Sequence, residues 1–293
     1  MTIIELCNAI NMQSDVTNDV ILFYNSSNFV LLVDKLTELD ERDSTDDKAI
    51  LQLYGLFSPD ERQIKMLTYM LYRALEAYDK YKQLGISEDI YIATMKCFTR
   101  FIKESYVKNG VPVFDRGWWT IRQIFVKLFR IGELEYELIN WNNKPAISMH
   151  IPSDANLSKE KCMESLKLAK DFMAKFFPEY SNSKYICDSW LLSPTLKELL
   201  PCTSNIIGFQ NMFDIVETKP DSMAFVEWVF KQDTSDIVTT APNEFGITEM
   251  VYQKRDINID EMAENTSLQK KIKAHVKAGG SIGEALGILK AFN

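Results

Sequence analysis

Histidine is scarce in this sequence: of 293 residues, only His150 and His275 carry an imidazole. Neither stands at metal-ligand spacing with a cysteine or a carboxylate, which excludes the common zinc-hydrolase arrangements. The five cysteines, Cys7, Cys97, Cys162, Cys187 and Cys202, are odd in number and scattered, with no C-x-x-C pair. That argues against a disulfide framework or a structural zinc site and fits a reducing compartment. No apolar run approaches the roughly 18 residues of a membrane span. The stretch Met1 to Met12 carries Glu5 and lacks a basic n-region, so it does not read as a signal peptide. The expectation is a cytoplasmic protein with no membrane partner.

Basic charge is also in short supply. Lysine and arginine number 33 against 41 acidic residues, a net charge of -8 and a pI near 5.0. A broad nucleic-acid surface needs clustered cations, so no nucleic-acid partner is expected. Walker A and G-x-G-x-x-G loops are missing. Ser189 lies in Asp188-Ser189-Trp190, without the G-x-S-x-G elbow that exposes a nucleophilic serine, so a hydrolase built on it would need a nucleophile beside His150. What remains is an ordinary globular mixture, 46% hydrophobic and 25% charged, long enough to bury a sizeable core.

The N-terminal half punctuates itself as helices. Pro59 to Leu84 opens with a Ser58/Glu61 capping box, and Ile64, Leu67, Leu71, Leu75, Tyr78 and Tyr81 make one apolar stripe before Gly85. Ser87 caps a second long helix running to Gly110, with Glu88 and Asp89 in its first turn. Asn28–Leu39 and Asp47–Phe57 read as shorter helices joined by an acidic loop, Glu38 to Asp47, and Trp118 to about Arg130 as another helix. After Gly132 the period changes to two: Leu134, Tyr136 and Leu138 alternate with Glu133, Glu135 and Glu137, and a second alternation runs from Ala146 to Ile151. The domain boundary is therefore placed near residue 130, giving a helical domain 1–130 and an α/β domain 131–293. Within the latter the pattern predicts a helix over Ser158–Phe177, a strand over Tyr185–Leu192, a short helix from Ser193 and a strand over Phe213–Glu217. It predicts terminal helices over Ser267–Lys277 and Ile282–Ala291.

The strand register points to a site. Trp141-Asn142-Asn143-Lys144 invites a two-residue hairpin turn, because asparagine tolerates positive φ. Centring the turn on the two asparagines sets Ile139 opposite Ala146, Glu137 opposite Ser148, and Glu135 opposite His150. A carboxylate beside an imidazole fixes its tautomer and stabilises its protonated form, which are the makings of a general base. The same pattern also fits a cross-strand charge pair with no catalytic role. His275, between Lys273 and Lys277, reads as a solvent-facing residue. Gly279-Gly280-Ser281-Ile282-Gly283 tempts a phosphate-loop reading, but a helix stop followed by a Ser281/Glu284 capping box explains it better. Ser193-Pro194-Thr195, opening a helix, offers backbone donors to a pyrophosphate, less the one that Pro194 lacks.

Arg116-Gly117-Trp118-Trp119, the run Leu128 to Glu137, His150-Ile151-Pro152-Ser153, Asp188-Ser189-Trp190-Leu191-Leu192 with Leu199-Leu200-Pro201, and Ser204-Asn205-Ile206 with Phe209-Gln210 carry a resemblance. With them the chain resembles a bacterial family of acyltransferase-domain proteins that joins a helical N-acyltransferase N-terminal domain to a GNAT-like C-terminal domain. The resemblance covers most of the chain. It implies an α+β fold, a helical bundle followed by a GNAT-like, mostly antiparallel sheet flanked by helices, and acetyl-CoA or another acyl-CoA as co-substrate. The function it implies is acyl transfer to an amine of a small molecule or peptide. In that mechanism His150, oriented by Glu135, takes the ammonium proton. CoA phosphates would sit at helix N-termini formed by Ser193, Thr195 and Leu196 or by Ser204 and Asn205. The pyrophosphate run Q/R-x-x-G-x-G/A does not occur, which keeps open a second reading, a GNAT-like module that binds a ligand or partner without catalysis.

Overall fold

The computed structural model describes residues 1–36, 53–232, 234, 237–242, 248–253 and 256–291. The acidic stretch Glu38 to Asp47 and the start of the helix expected from Asp47 lie outside them. Eight strands appear among the described residues. Six form one sheet in the order β1-β2-β3-β4-β8-β5, and β6–β7 form a separate hairpin. By contacts the chain divides into two compact units: Met1–Asn156 with Glu160–Tyr185, and Leu157–Lys159 with Ile186–Asn293.

The first unit opens with α1 (Ile3–Ala9), whose Thr2 and Glu5 make a reciprocal capping box, then α2 (Ser14–Tyr24) and α3 (Ser27–Leu36). The long helix α4 begins at Ile64 rather than at Pro59. Gln63 takes a left-handed φ of 54°, and the cap comes from Asp60, whose carboxylate accepts from the Met66 N–H at 3.0 Å. The Ser58/Glu61 box is therefore not used. The buried face of α4 is Leu67, Met70, Leu71, Ala74, Ala77 and Tyr81, and Gly85 ends it at φ 72°. The next helix is broken in two, α5 (Glu88–Met95) and α6 (Cys97–Asn109).

The expected helix from Trp118 to Arg130 is instead a helix, a turn and a strand. α7 spans Gly117–Ile124, Val126 turns the chain at φ 60°, and β1 spans Leu128–Ile131. Leu128, Phe129 and Ile131 are all buried, and a short run buried on both faces carries no period by which to tell strand from helix. β1 is fastened to the helices by its Arg130 N–H, which donates to Thr94 Oγ1 at 3.0 Å.

β2 (Leu134–Trp141) and β3 (Lys144–His150) form the anticipated hairpin. Asn142 and Asn143 take φ values of 52° and 60°, the two positive dihedrals of a type I′ turn. The register is the one read from the sequence: Glu135 faces His150, Glu137 faces Ser148 and Ile139 faces Ala146. One face of β2, with Leu134 and Tyr136, packs on α8 (Lys159–Phe176), where Ser165 Oγ meets the Tyr136 hydroxyl at 2.9 Å and the Leu134 N–H at 3.2 Å. The other face, with Glu135 and Glu137, turns to α6 and α7.

In the second unit β4 (Lys184–Ser189) gives way to a 3-10 turn, Trp190–Leu192, and the short helices α9 (Leu196–Leu199) and α10 (Asn205–Gln210). β5 (Phe213–Lys219), α11 (Ala224–Phe230), the β6 (Ile237–Pro242) and β7 (Thr248–Gln253) hairpin and α12 (Ser267–Lys277) follow. Leu196, Ile207, Phe225, Val226, Met262, Ile272 and Ile282 make its core. The second terminal helix does not form: Glu284–Leu289 is β8, paired with β4 and β5. Gly287 explains the reversal. A Cβ there would lie 2.9 Å from Leu192 and Phe213 side-chain atoms, so the strand fits only because that position is bare, and pairing on both sides overrides the helix propensity of Glu-Ala-Leu. Ser281 accordingly caps no helix; its hydroxyl donates to the Pro220 carbonyl. His275 is half-buried and packs against Gly280 rather than facing solvent freely.

Gly132 holds the β1–β2 turn at φ 63°, and a Cβ on it would stand 3.0 Å from Ser165 Cβ. Gly132→Ala should therefore destabilise the chain by more than about 1 kcal/mol, read as a lower urea midpoint with unchanged slope. An unaffected midpoint would show that this turn tolerates a side chain.

Candidate active site

The acidic face of β2 would be costly to cover unless its charges were met. Arg100, on α6, donates from Nη2 to Glu135 Oε1 at 2.7 Å, with side-chain exposures of only 10% and 3%. Burial works against the Arg100 charge, but the charge and hydrogen bond of Glu135, with Cys97 and Asp154 nearby, together outweigh it and hold the guanidinium above its ordinary value. Around this pair lies a network. Arg100 stands 3.8 Å from Glu104 and 3.9 Å from Asp154. Glu104 accepts from Arg116 and from the Ser153 hydroxyl. Arg130 donates to Asp154 at 2.9 Å and to the Gly132 carbonyl at 2.8 Å. Three stretches that stand out in the sequence, Arg116–Trp119, Leu128–Glu137 and His150–Ser153, thus converge in one place.

The imidazole has a different partner from the one the register suggested. His150 Nε2 lies 2.8 Å from Glu137 Oε2, whereas Glu135, directly opposite, is taken by Arg100. Glu137 is the diagonal neighbour on the same face, a distance that long side chains span readily. Glu135 is therefore a buried structural partner and not the group that orients His150. Nor is this face the wet side of the sheet: α6 and α7 close over it, leaving the His150 side chain 22% exposed.

Two residues of α7 complete the arrangement. Trp119 meets the imidazole edge-on, with ring centroids 5.0 Å apart and planes at 88°. Arg122 stacks over Trp119 at 4.3 Å and places its Nε 3.2 Å from Glu137 Oε1. Each Glu137 oxygen thus faces its own nitrogen. Burial raises the Glu137 pKa, but the His150 hydrogen bond and the charges of His150, Arg122 and Lys127 outweigh it and hold the carboxyl below its ordinary range. An ionised carboxylate only accepts hydrogen bonds, so neutral His150 carries its hydrogen on Nε2 and its lone pair on Nδ1. Nδ1 has no hydrogen-bond partner among the described residues. That is the geometry of a general base, with one ring nitrogen anchored and the other open.

The positions expected to hold CoA phosphates are largely engaged within the second unit. The Ser193 hydroxyl donates to the Ile282 carbonyl, and the Ser193 carbonyl accepts from Gln210 at 2.6 Å. The amides of Leu196, Lys197 and Glu198 close onto Ser193, Pro194 and Thr195. Thr195 precedes α9 without a side-chain cap, and Ser204 caps α10 by accepting from Ile206, with Asn205 exposed beside it. Among the alternative nucleophiles Ser189 and four of the five cysteines are engaged or buried, while Cys202 is an exposed free thiol. Ser189 Oγ accepts from the Leu191 N–H. Burial pushes the thiols of Cys7 and Cys162 up to about 11, and those of Cys97 and Cys187 higher. No group of three or more metal-ligating side chains occurs among the described residues, and none of their helices is long and apolar enough to cross a membrane. A cavity of about 260 Å³, lined by Phe23, Asn28, Leu31, Leu32, Leu56 and Lys65, shares no residue with the His150 cluster.

Arg100, Arg122, Trp119 and the Glu137 pairing were not assigned to the site from the sequence. The spacing held a clue, since Glu135 and Glu137 share a face and either can reach position 150. Which one does depends on where α6 places Arg100, a tertiary fact.

The architecture is a mostly antiparallel sheet flanked by helices, preceded by a helical region that closes over the β2 face bearing Glu135 and Glu137. Residues 1–125 match the N-acyltransferase N-terminal domain and residues 128–244 the GNAT-like C-terminal domain. The chain belongs to the two-domain acyltransferase family that joins them. Among solved structures it is similar to an acyltransferase in complex with decanoyl-CoA, at TM-score 0.65 and 20% identity over 78% of this chain and 66% of that one, just under two thirds. It is also similar to an acyltransferase in complex with decanoyl-CoA and teicoplanin, at TM-score 0.72 and 18% identity over 98% and 86%. A third, in complex with CoA and 10C-teicoplanin, matches at TM-score 0.67 and 17% identity over 99% of both chains. No curated protein matches the sequence significantly.

Removing either member of the buried Arg100–Glu135 pair strands the other's charge. Glu135→Leu or Arg100→Met should each cost about 3–5 kcal/mol in urea unfolding, and the double variant should recover most of it; additive losses would refute the pairing. Because the folded-state pKa of Glu137 is depressed, its contribution is present above the ordinary value of 4.5 and lost as pH falls through the folded value. Glu137→Gln should therefore lower stability at pH 7 and flatten the decline below about 4.5 in pH-dependent melting.

Proposed function

We propose that the chain is an acyl-CoA-dependent N-acyltransferase, moving an acyl group from the CoA thioester to an amine of a small molecule or peptide. The observation that carries the proposal is the His150–Glu137 pair with its open Nδ1, held in a chain of the two-domain acyltransferase family. The complexes of structurally similar acyltransferases with decanoyl-CoA and CoA support the donor class, and those with teicoplanin support a peptide-like amine as acceptor.

In the proposed reaction His150 Nδ1 removes a proton from the acceptor nitrogen as that nitrogen attacks the thioester carbonyl. The C–N bond forms, the C–S bond breaks, and the imidazolium passes its proton to the departing CoA sulfur, leaving an amide, free CoA and neutral His150. The imidazolium formed in between is stabilised by the Glu137 carboxylate on Nε2. Arg100 and Glu135 keep β2 seated against α6 and stay out of the proton transfer.

His150→Ala should lower turnover with octanoyl- or decanoyl-CoA by roughly two to four orders of magnitude while the circular dichroism spectrum is kept. Normal turnover in that variant would remove His150 from the reaction. In a thermal-shift series, CoA, acetyl-CoA and decanoyl-CoA should each raise the melting temperature, because a ligand of the native state alone stabilises it. Absence of any shift at saturating concentration would favour the second reading, a partner-binding module without CoA chemistry, which the missing Q/R-x-x-G-x-G/A run favours.

A further inference from the structure

We propose that Arg122 is a positioning residue that sets the pH at which His150 accepts a proton, by sharing the Glu137 carboxylate with it; this rests on the proposed role of His150 as base.

The geometry is a three-part relay across two elements. Glu137, on β2, turns Oε2 to His150 Nε2 at 2.8 Å and Oε1 to Arg122 Nε at 3.2 Å. Arg122 is kept from swinging away by Trp119, whose ring lies 4.3 Å from the guanidinium carbon, and by Trp118 at 6.0 Å. The same Trp119 ring closes edge-on against the imidazole. One indole therefore fixes both cations that compete for the carboxylate. A guanidinium stays charged at every working pH, so Glu137 Oε1 sits at ion-pair distance from a fixed positive charge, without a hydrogen bond from Arg122 Nε, before His150 gains its proton.

A lone carboxylate at hydrogen-bond distance stabilises the imidazolium strongly and moves histidine toward the protonated form, which is useless as a base at neutral pH. The fixed charge of Arg122 on the opposite oxygen opposes that pull. It leaves the Nε2–H hydrogen bond intact for orientation while weakening the field on the imidazolium. The other charged groups here are Lys127, which acts on the same carboxylate, and the Arg100–Glu135 pair with the Arg116–Glu104 and Arg130–Asp154 pairs beside it. The turn Pro178–Tyr180, which packs on β3, adds the exposed Glu179, which is not paired with His150.

The test is an NMR titration of His150 in the full chain, beside the pH dependence of kcat/KM for acyl transfer. Arg122→Gln should raise the His150 titration midpoint by about half a unit to one unit and carry the acid limb of the rate profile up with it. Glu137→Gln should move both in the opposite direction. Arg122→Lys, which keeps the charge and loses the planar stack, should fall between wild type and Arg122→Gln. A midpoint that is unchanged or lower in Arg122→Gln, in protein that keeps its circular dichroism spectrum, overturns the inference; a merely packing role for Arg122 would reduce kcat without moving the limb. The titration needs no turnover. If wild type shows no acyl transfer with any CoA thioester yet the midpoints shift as stated, the relay stands and the proposed function falls.

Discussion

The structure around His150 depends on one electrostatic constraint: the carboxylate face of β2 cannot be roofed by helices unless its charges are neutralised from above. Glu135 is almost wholly buried and Glu137 half-buried, and burying an unpaired carboxylate costs several kcal/mol. The N-terminal helices meet this with arginines. Arg100 closes on Glu135 and Arg122 on Glu137, while Arg116 and Arg130 satisfy Glu104 and Asp154 at the rim. The helical region is thus more than a neighbour of β1–β3; it supplies the countercharge without which that face would stay open to water.

That constraint sorts two superficially equal glutamates into different roles. Glu135 meets a deep guanidinium and becomes part of the packing. Two residues on, Glu137 meets an arginine on one oxygen and a histidine on the other, at the edge where the imidazole is still partly exposed. The proposed proton transfer is placed at that edge. The tryptophan-lined side of α7 supplies the wall, with Trp119 against both His150 and Arg122.

Much of this was legible in the sequence where the signal is periodic or depends on special dihedrals. The two-asparagine turn fixed the β2–β3 register to the residue, and Ser267–Lys277 and the core of α8 followed from helical spacing. What failed shares a cause: short segments whose identity is decided by neighbours far along the chain. Leu128–Ile131 is buried on both faces and shows no period. Glu284–Leu289 looks helical until β4 and β5 bracket it and exploit the missing side chain of Gly287. The start of α4 moved because Asp60, not Ser58, supplied the cap. At the site, the cross-strand neighbour of His150 was foreseeable but its hydrogen-bond partner was not, since Arg100 lies 35 residues from the glutamate it claims.

In the proposed mechanism Glu137 fixes the tautomer of His150 and leaves Nδ1 as the open, proton-accepting nitrogen. With only two histidines in the chain, selective nitrogen-15 labelling of the imidazoles and NMR at a pH above the His150 titration read the tautomer directly. Hydrogen on Nε2 and a bare Nδ1 are expected, with the preference reduced in Glu137→Gln. Hydrogen found on Nδ1, or a tautomer mixture indifferent to that substitution, would contradict it.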